Sequence, residues 1–273
     1  MNKRTTVLTA VAVSLQMAGT AQTSHAALSA KEIMTRNEEA RKIQDVTSRA
    51  TLKTGGGQDK EKLKEFTWWK KIKSDNIHYN TLTRFHKPAE IRNEGILFLE
   101  HDNNENEVLL YLPNFKKIRR VEAQQQSSSF MGSVFSYSDI TTPHVEDYAY
   151  KLLREETCPG GEAALKCSVI ESVPASDSVR DRTRYSRTVQ WIRPDNFMMA
   201  QAEYYDLEGA LIKRALFSKI DQVDPARNKW MAKFIRMDNV KTAKFTELEF
   251  SQVKANTGLK DALFTQQNLS RVP

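Results

Sequence analysis

The chain lacks most of the signatures that would assign it a chemistry. It contains no G-x-S-x-G elbow, no H-E-x-x-H helix, no Walker A loop and no G-x-G-x-x-G turn, which removes the common serine hydrolases, zinc proteases, P-loop enzymes and dinucleotide enzymes. Gly132-Ser133 lacks the second glycine of a nucleophile elbow and reads as hinge chemistry. His78, His86, His101 and His144 fall on expected strands and loops with no close pair at metal-ligand spacing, so they read as surface or strand histidines and no metal is expected. Asp102-Asn103-Asn104-Glu105 lacks the glycine and the distal bidentate glutamate of a calcium loop, and reads as a polar hairpin turn. No cofactor and no enzymatic activity are expected. Only two cysteines are present, Cys158 and Cys167, flanking Pro159-Gly160-Gly161. Their spacing suits a disulfide across a hairpin-like loop, adding about 2–3 kcal/mol, whereas a redox-active pair more often has Cys-x-x-Cys spacing. Internal repeats are absent, and outside the N-terminus no stretch approaches the ~20 apolar residues that a spanning helix requires.

The N-terminus carries what the rest lacks. Lys3 and Arg4 precede an uncharged apolar run, Val7 to Ala18, followed by the small-x-small end Ser24-His25-Ala26. Residues 1–26 are therefore expected to be a secretory signal, which places the mature protein in the periplasm. No cysteine follows the cleavage site, so the protein is not expected to be a lipoprotein itself. Residues 27–273 form one expected domain, and losing Lys3 and Arg4 lowers the formal net charge from +7 to +5. A modestly basic exported protein meets anionic headgroups and envelope polyanions, not nucleic acid.

Ser29 and Glu32 make a capping box, and Ile33, Met34, Ala40 and Ile43 recur at helical spacing, predicting a helix from Ala30 to Gln44. After it the chain reads as strands near 46–54, 63–73, 76–85, 94–101, 107–113, 117–122, 147–157, 166–173, 184–193, 197–206, 210–220, 229–238 and 243–253. Turn chemistry joins them, at Gly55-Gly56-Gly57, Ser74-Asp75-Asn76, Asp206-Leu207-Glu208-Gly209 and Asp224-Pro225. Short connections favour an antiparallel sheet. Ile96-Leu97-Phe98-Leu99 and Val108-Leu109-Leu110-Tyr111-Leu112 are apolar on both faces, so both faces must be covered. The first helix can supply cover, together with a short helical segment around Leu259 to Phe264. A long sheet curled around short helices leaves an interior filled by side chains, a lid or a ligand.

Several blocks in register carry a resemblance. They are Leu82-Thr83-Arg84-Phe85-His86-Lys87-Pro88, Gly95-Ile96-Leu97-Phe98-Leu99, Leu110-Tyr111-Leu112-Pro113, Lys116-Lys117-Ile118-Arg119-Arg120 and Ser129 to Asp139. Glu203-Tyr204-Tyr205-Asp206 with Gly209, and Phe264-Thr265 with Leu269, follow in order. Together they resemble the outer membrane lipoprotein-sorting protein family over nearly the whole mature chain. The sequence departs from the family at Val134, where an acidic residue is usual, and at Asn93-Glu94-Gly95, where a Lys-Gly-Thr-like turn is usual. The resemblance implies a LolA/LolB-like fold: mainly β (α+β), a strongly curved antiparallel sheet forming an incomplete β-barrel, with short helices plugging its concave side. It also implies acyl chains of a lipid or lipoprotein between sheet and helices, delivery toward an outer-membrane acceptor, and work beside an inner-membrane exporter of the RND superfamily. No catalytic residues carry over.

The greasy stretch SSSFMGSVFSYSDI fits such a carrier. Phe130, Met131, Phe135 and Tyr137, hinged at Gly132, have the chemistry of a lid that fills the cavity when it is empty. The alternative is that they pack the barrel mouth permanently. Strand alternation nominates Trp68, Phe85, Phe98, Leu110, Leu112, Trp191, Met199, Phe217, Ile235 and Met237 as cavity wall, an assignment that a one-residue register change reverses. The basic run Lys116, Lys117, Arg119 and Arg120 is a solvated face or a docking face for an anionic membrane surface or an acidic partner. A second reading makes the same fold a non-transporting adaptor or sensor that docks through this run. A lipid hydrolase is a third.

Overall fold

The computed structural model describes residues 28–101, 106–160 and 165–271. The expected signal sequence and the Asp102 to Glu105 turn lie outside these residues. Helix α1, Ala30–Ala40, begins where the capping box places it: the Ser29 hydroxyl accepts the Glu32 amide, and the Glu32 carboxylate accepts the Ser29 amide at 2.7 Å. Ile33, Met34, Asn37 and Ala40 form its buried stripe. The helix ends earlier than the expected Gln44. The Arg41 amide turns back onto the carbonyls of Glu38 and Glu39, and Ile43, still buried, leaves the helix to join the wall of the sheet.

Thirteen strands follow: β1 Asp45–Gly56, β2 Asp59–Ile72, β3 Tyr79–Lys87, β4 Gly95–Leu99, β5 Glu107–Leu112, β6 Lys117–Val121, β7 Tyr148–Thr157, β8 Lys166–Pro174, β9 Arg187–Ile192, β10 Met199–Tyr205, β11 Leu211–Asp224, β12 Lys229–Asn239 and β13 Lys244–Ala255. They match the expected strands one for one. All belong to one antiparallel sheet of order β6-β5-β4-β3-β2-β1-β13-β12-β11-β10-β9-β8-β7. Every paired couple of strands is consecutive in sequence except β1 and β13, which meet in the middle of the sheet. The edge strands β6 and β7 do not pair, so the sheet curls without closing. Gly56 is required at the β1–β2 hairpin: its φ is +87°, and a Cβ there would stand 2.3 Å from the Ala243 carbonyl oxygen.

The doubly apolar strands are covered from opposite sides. Phe85, Ile96, Phe98 and Val108 face the concave side. Leu82, Leu97, Leu109 and Tyr111 face the convex side, where Phe264 and Leu269 pack on them. The C-terminal segment, a 3-10 turn at Asp261–Phe264 and helix α4 at Gln266–Leu269, therefore covers the face opposite to α1 and does not join it inside. Buried Arg84 fastens it by donating to the carbonyls of Asn268 and Leu269 at 3.2 and 2.8 Å. The expected disulfide joins Cys158 to Cys167 across the β7–β8 hairpin, also on the convex face, against Val169, Val189 and Trp191. Two short helices were not expected: α2, Tyr137–Ile140, and α3, Asp177–Thr183.

Replacing Arg84 with Met leaves those two carbonyls without their donor and should cost on the order of 2 kcal/mol. Limited proteolysis should then cut within residues 259–271 first, while α1 stays protected.

Candidate functional site

The concave face is divided into a filled part and a hollow part. In the filled part the chain between β6 and β7 enters the curl as a tight loop. Ser129 and Ser136 bridge its ends, the Phe130 amide donates to the Phe135 carbonyl at 2.7 Å, and Gly132 turns the tip with φ +73°. Phe130 and Phe135 are 2 % and 4 % exposed and sit among Phe66, Phe85, Phe98, Met237 and Leu248. Phe130 meets Tyr137 edge to face at 5.6 Å, and Phe98 lies 6.3 Å from Phe130. Met131 and Tyr137 are half-buried against the same cluster. The expected lid residues thus form a plug seated in the sheet, with no part in the wall of the hollow.

The hollow part is a cavity of about 320 Å³ between the sheet, α1 and residues 138–145, at the small end of the range for ligand pockets. Of the ten residues expected to line it, Trp68, Met199, Phe217 and Ile235 do so, joined by Met34, Ile43, Trp230 and Phe250. Phe85, Phe98 and Met237 occupy the same face but are sealed under the plug, and Leu110 packs at its rim. Leu112, at the end of β5, is half-buried and lies apart from the cavity. Trp191 points to the convex face, because its neighbours Gln190 and Ile192 take the concave side in the alternation, and it donates its indole N–H to Glu156. Trp68, Ile140, Tyr204, Phe217, Ile235 and Phe250 touch both the plug's cluster and the cavity. Filled and hollow parts are thus one continuous apolar surface.

Residues 138–147 form a strap over the hollow, held by polar latches at both ends. Asp139 accepts from Tyr185 at 2.9 Å and from Lys213 at 2.9 Å. Further on, Glu100, just after β4, accepts the Thr142 amide, and Glu38 on α1 accepts the Val145 amide, each at 2.8 Å. His144 sits between these carboxylates, 3.8 Å from Glu38 and 3.6 Å from Glu100, its ring 5.1 Å from that of His78. The sequence scatters these groups, and nothing local signals that His78 and His144 come together. Among the described residues no group of histidine, cysteine and carboxylate side chains could hold a metal ion.

The electrostatics follow from burial. Burial alone would lower the His144 pKa, but the flanking carboxylates of Glu100 and Glu38 outweigh that and push it up to about 9. Burial would raise both carboxylates, yet His144 and the amides of Thr142 and Val145 hold them below the ordinary glutamate value. Lys70, under the strap, donates to the Thr142 hydroxyl at 2.7 Å and lies 4.1 Å from the centre of the Tyr79 ring. Burial takes its pKa down to about 8, partly offset by Glu100.

The expected docking run is exposed. Lys116 precedes, and Lys117, Arg119 and Arg120 lie on, the edge strand β6, and among the described residues only Arg120 is near a carboxylate, Glu107 at 3.6 Å. Cations along an open edge also keep it from pairing with another sheet.

The strap's His144 latch should respond to pH in one direction. A raised pKa means that its contribution is complete below about 6.5 and is lost as pH rises through about 9; the lowered carboxylates keep their part above their ordinary values and lose it only in stronger acid. The stability advantage of the native protein over His144→Gln should be on the order of 2–3 kcal/mol near pH 6. Thermal melts should show it shrinking toward zero above pH 9.

A family model described only as "uncharacterized protein" matches residues 78–271. No curated protein matches the chain. Among solved structures, a DUF1329 family protein from Desulfovibrio piger superimposes with a TM-score of 0.80 at 27 % identity, covering 88 % of this chain and 97 % of its own. An outer membrane lipoprotein-sorting protein domain from Vibrio parahaemolyticus gives 0.80 at 24 %, covering 89 % and 98 %. A LolA superfamily protein from Nitrosomonas europaea gives 0.68 at 22 %, covering 88 % and 99 %. The chain belongs to the family of the matching model, DUF1329-like in its relatives and LolA-like in its fold.

Proposed function

We propose that the protein is a periplasmic carrier that holds acyl chains of a lipid or lipoprotein in the strap-covered cavity and shuttles them toward the outer membrane. The observation that carries this reading is the half-filled concave face. An apolar surface is plugged at one end by Phe130, Phe135 and Tyr137 and left open at the other, where Trp68, Phe217 and Ile235 remain partly exposed. A protein needing only a stable core gains by filling such a surface. A carrier gains by leaving it unfilled, because each buried methylene of cargo contributes about 0.8 kcal/mol while total enclosure would hold the cargo too tightly to release.

In this reading the plug is the lid expected at Phe130, Met131, Gly132, Phe135 and Tyr137. Six residues join the cluster it is seated in to the hollow, so its withdrawal lengthens the cavity and its return competes with the cargo. Binding, not catalysis, is the activity. Delivery beside an inner-membrane exporter of the RND type to an outer-membrane acceptor belongs to the same proposal and rests on what the sequence resemblance implies.

A second reading, docking without transport, draws on one observation. Phe115, 70 % exposed, stands beside Lys116 and Lys117 at the tip leading into β6, a combination suited to an anionic membrane surface or an acidic partner. Reversing charge at Arg119 and Arg120 should release such a partner yet leave lipid in the cavity.

Replacing Met199 or Ile235 with Trp should fill the hollow without disturbing the convex face. Displacement of a fluorescent acyl probe should show affinity falling about tenfold or more with the melting temperature nearly unchanged; unaltered affinity in folded variants would remove the cavity from the account.

A further inference from the structure

We infer that the end of the cavity bracketed by Arg41 and Lys70 is a site for one anionic group, a carboxylate or a phosphate monoester, carried by the acyl ligand. The inference rests on the reading of the hollow as an acyl-lipid site and adds the chemistry of the ligand's head.

Four cations line the hollow, and two are already neutralised. Arg182 lies 3.6 Å from Asp147, and Arg187 lies 3.4 Å from Glu171 and stacks on Tyr205. Arg41 and Lys70 have no carboxylate within 4.0 Å among the described residues. Arg41 gives one hydrogen bond, from Nε to the Asn37 carbonyl at 3.3 Å, which leaves the fork of its terminal nitrogens unused. Among the described residues the Lys70 ammonium holds the Thr142 hydroxyl and the face of Tyr79. The neighbouring carboxylates are committed elsewhere: Glu38 to the Val145 amide and His144, Glu100 to the amides of Tyr79 and Thr142 and to His144.

The two cations sense each other, since Arg41 is one of the charges acting on Lys70. Glu38 acts on Arg41 and Glu100 on Lys70, but the same two carboxylates also face His144, so three cations share two anions, an imbalance under cover that a bound anion would relieve. Phenol hydroxyls complete the arrangement. Tyr79, Tyr150 and Tyr204 stand around Arg41 and line the same cavity, and none of their hydroxyls has a hydrogen-bond partner among the described residues. Burial keeps all three protonated, so each is a donor. A guanidinium fork, an ammonium and three O–H donors line the same cavity as Trp68, Phe217, Ile235 and Phe250. That pairing of a donor-rich end with an apolar body matches an acyl chain ending in an oxyanion, for which arginine offers bidentate geometry.

The test measures binding of palmitate, lysophosphatidic acid and uncharged monopalmitoylglycerol to the mature protein at neutral pH, with inorganic phosphate alone as a further arm. The native protein should prefer the two anionic ligands by about tenfold or more. Arg41→Gln and Lys70→Met should each bring the ratio of anionic to neutral affinity close to one, whatever happens to the absolute affinity for monopalmitoylglycerol, and Arg41→Lys should retain part of the preference. Circular dichroism melts confirm that the variants fold. Equal affinity for charged and neutral ligands, unchanged in the variants, would overturn the anion site and leave the carrier reading standing. Failure to bind any acyl ligand would remove the carrier reading itself. Binding of inorganic phosphate that depends on Arg41, with no acyl ligand bound, would assign the site to a free anion and overturn its place in lipid recognition.

Discussion

A thirteen-stranded antiparallel sheet that curls without joining its edges must cover its concave surface with something other than sheet. Nearly every distinctive feature of this protein answers that constraint. Helix α1 covers one stretch, the Phe130–Phe135 loop plugs another, and the strap of residues 138–147 crosses what is left. Among the described residues the covers come mainly from the N-terminal helix and the β6–β7 connection, with Arg182, Thr183 and Tyr185 of the β8–β9 connection completing the lining. They cannot fill the whole surface, and the remainder is the cavity.

The two kinds of cover are held differently, which bears on how the cavity could open. The plug is seated by apolar packing, with few polar ties to the sheet beyond the Val134 amide on the Thr246 hydroxyl at 2.8 Å. The strap is held by charge: Asp139 on Lys213 and Tyr185, His144 between Glu38 and Glu100, Lys70 on Thr142. Apolar cargo competes with the plug for surface of the same kind, whereas a charged head competes with the strap for Lys70. The convex side shows no such balance. Arg84, the C-terminal segment and the disulfide fix it, so opening can occur inside without loss of the frame.

Much of the fold was legible in the sequence. Alternation and turn residues marked all thirteen strands, because in a sheet of sequential hairpins each strand's partner is its neighbour and the signal is local. The apolar doubling in Ile96 to Leu99 announced cover on both faces, though not that the C-terminal segment would take the convex one. Helix α3 was missed since Asp177 to Thr183 makes under two turns and buries only Val179, Arg182 and Thr183, too short for a period to show. The site was less legible. Trp68, Met199, Phe217 and Ile235 face the hollow, while Phe85, Phe98 and Met237 share their face under the plug. Alternation tells faces apart, not filled from unfilled. The Glu38–Glu100–His144 cluster and the Arg41–Lys70 pair assemble residues from α1, the sheet and the strap, and only the tertiary fold brings them together.

The central claim is that the unfilled surface exists for a lipid. Native mass spectrometry of the mature protein, purified gently from its own periplasm and followed by solvent extraction, tests it most directly. The account predicts a bound acyl species that leaves on denaturation and is depleted when Met199 or Ile235 is replaced by Trp. Protein that is uniformly free of lipid, and stays so after incubation with membrane extract, would contradict it.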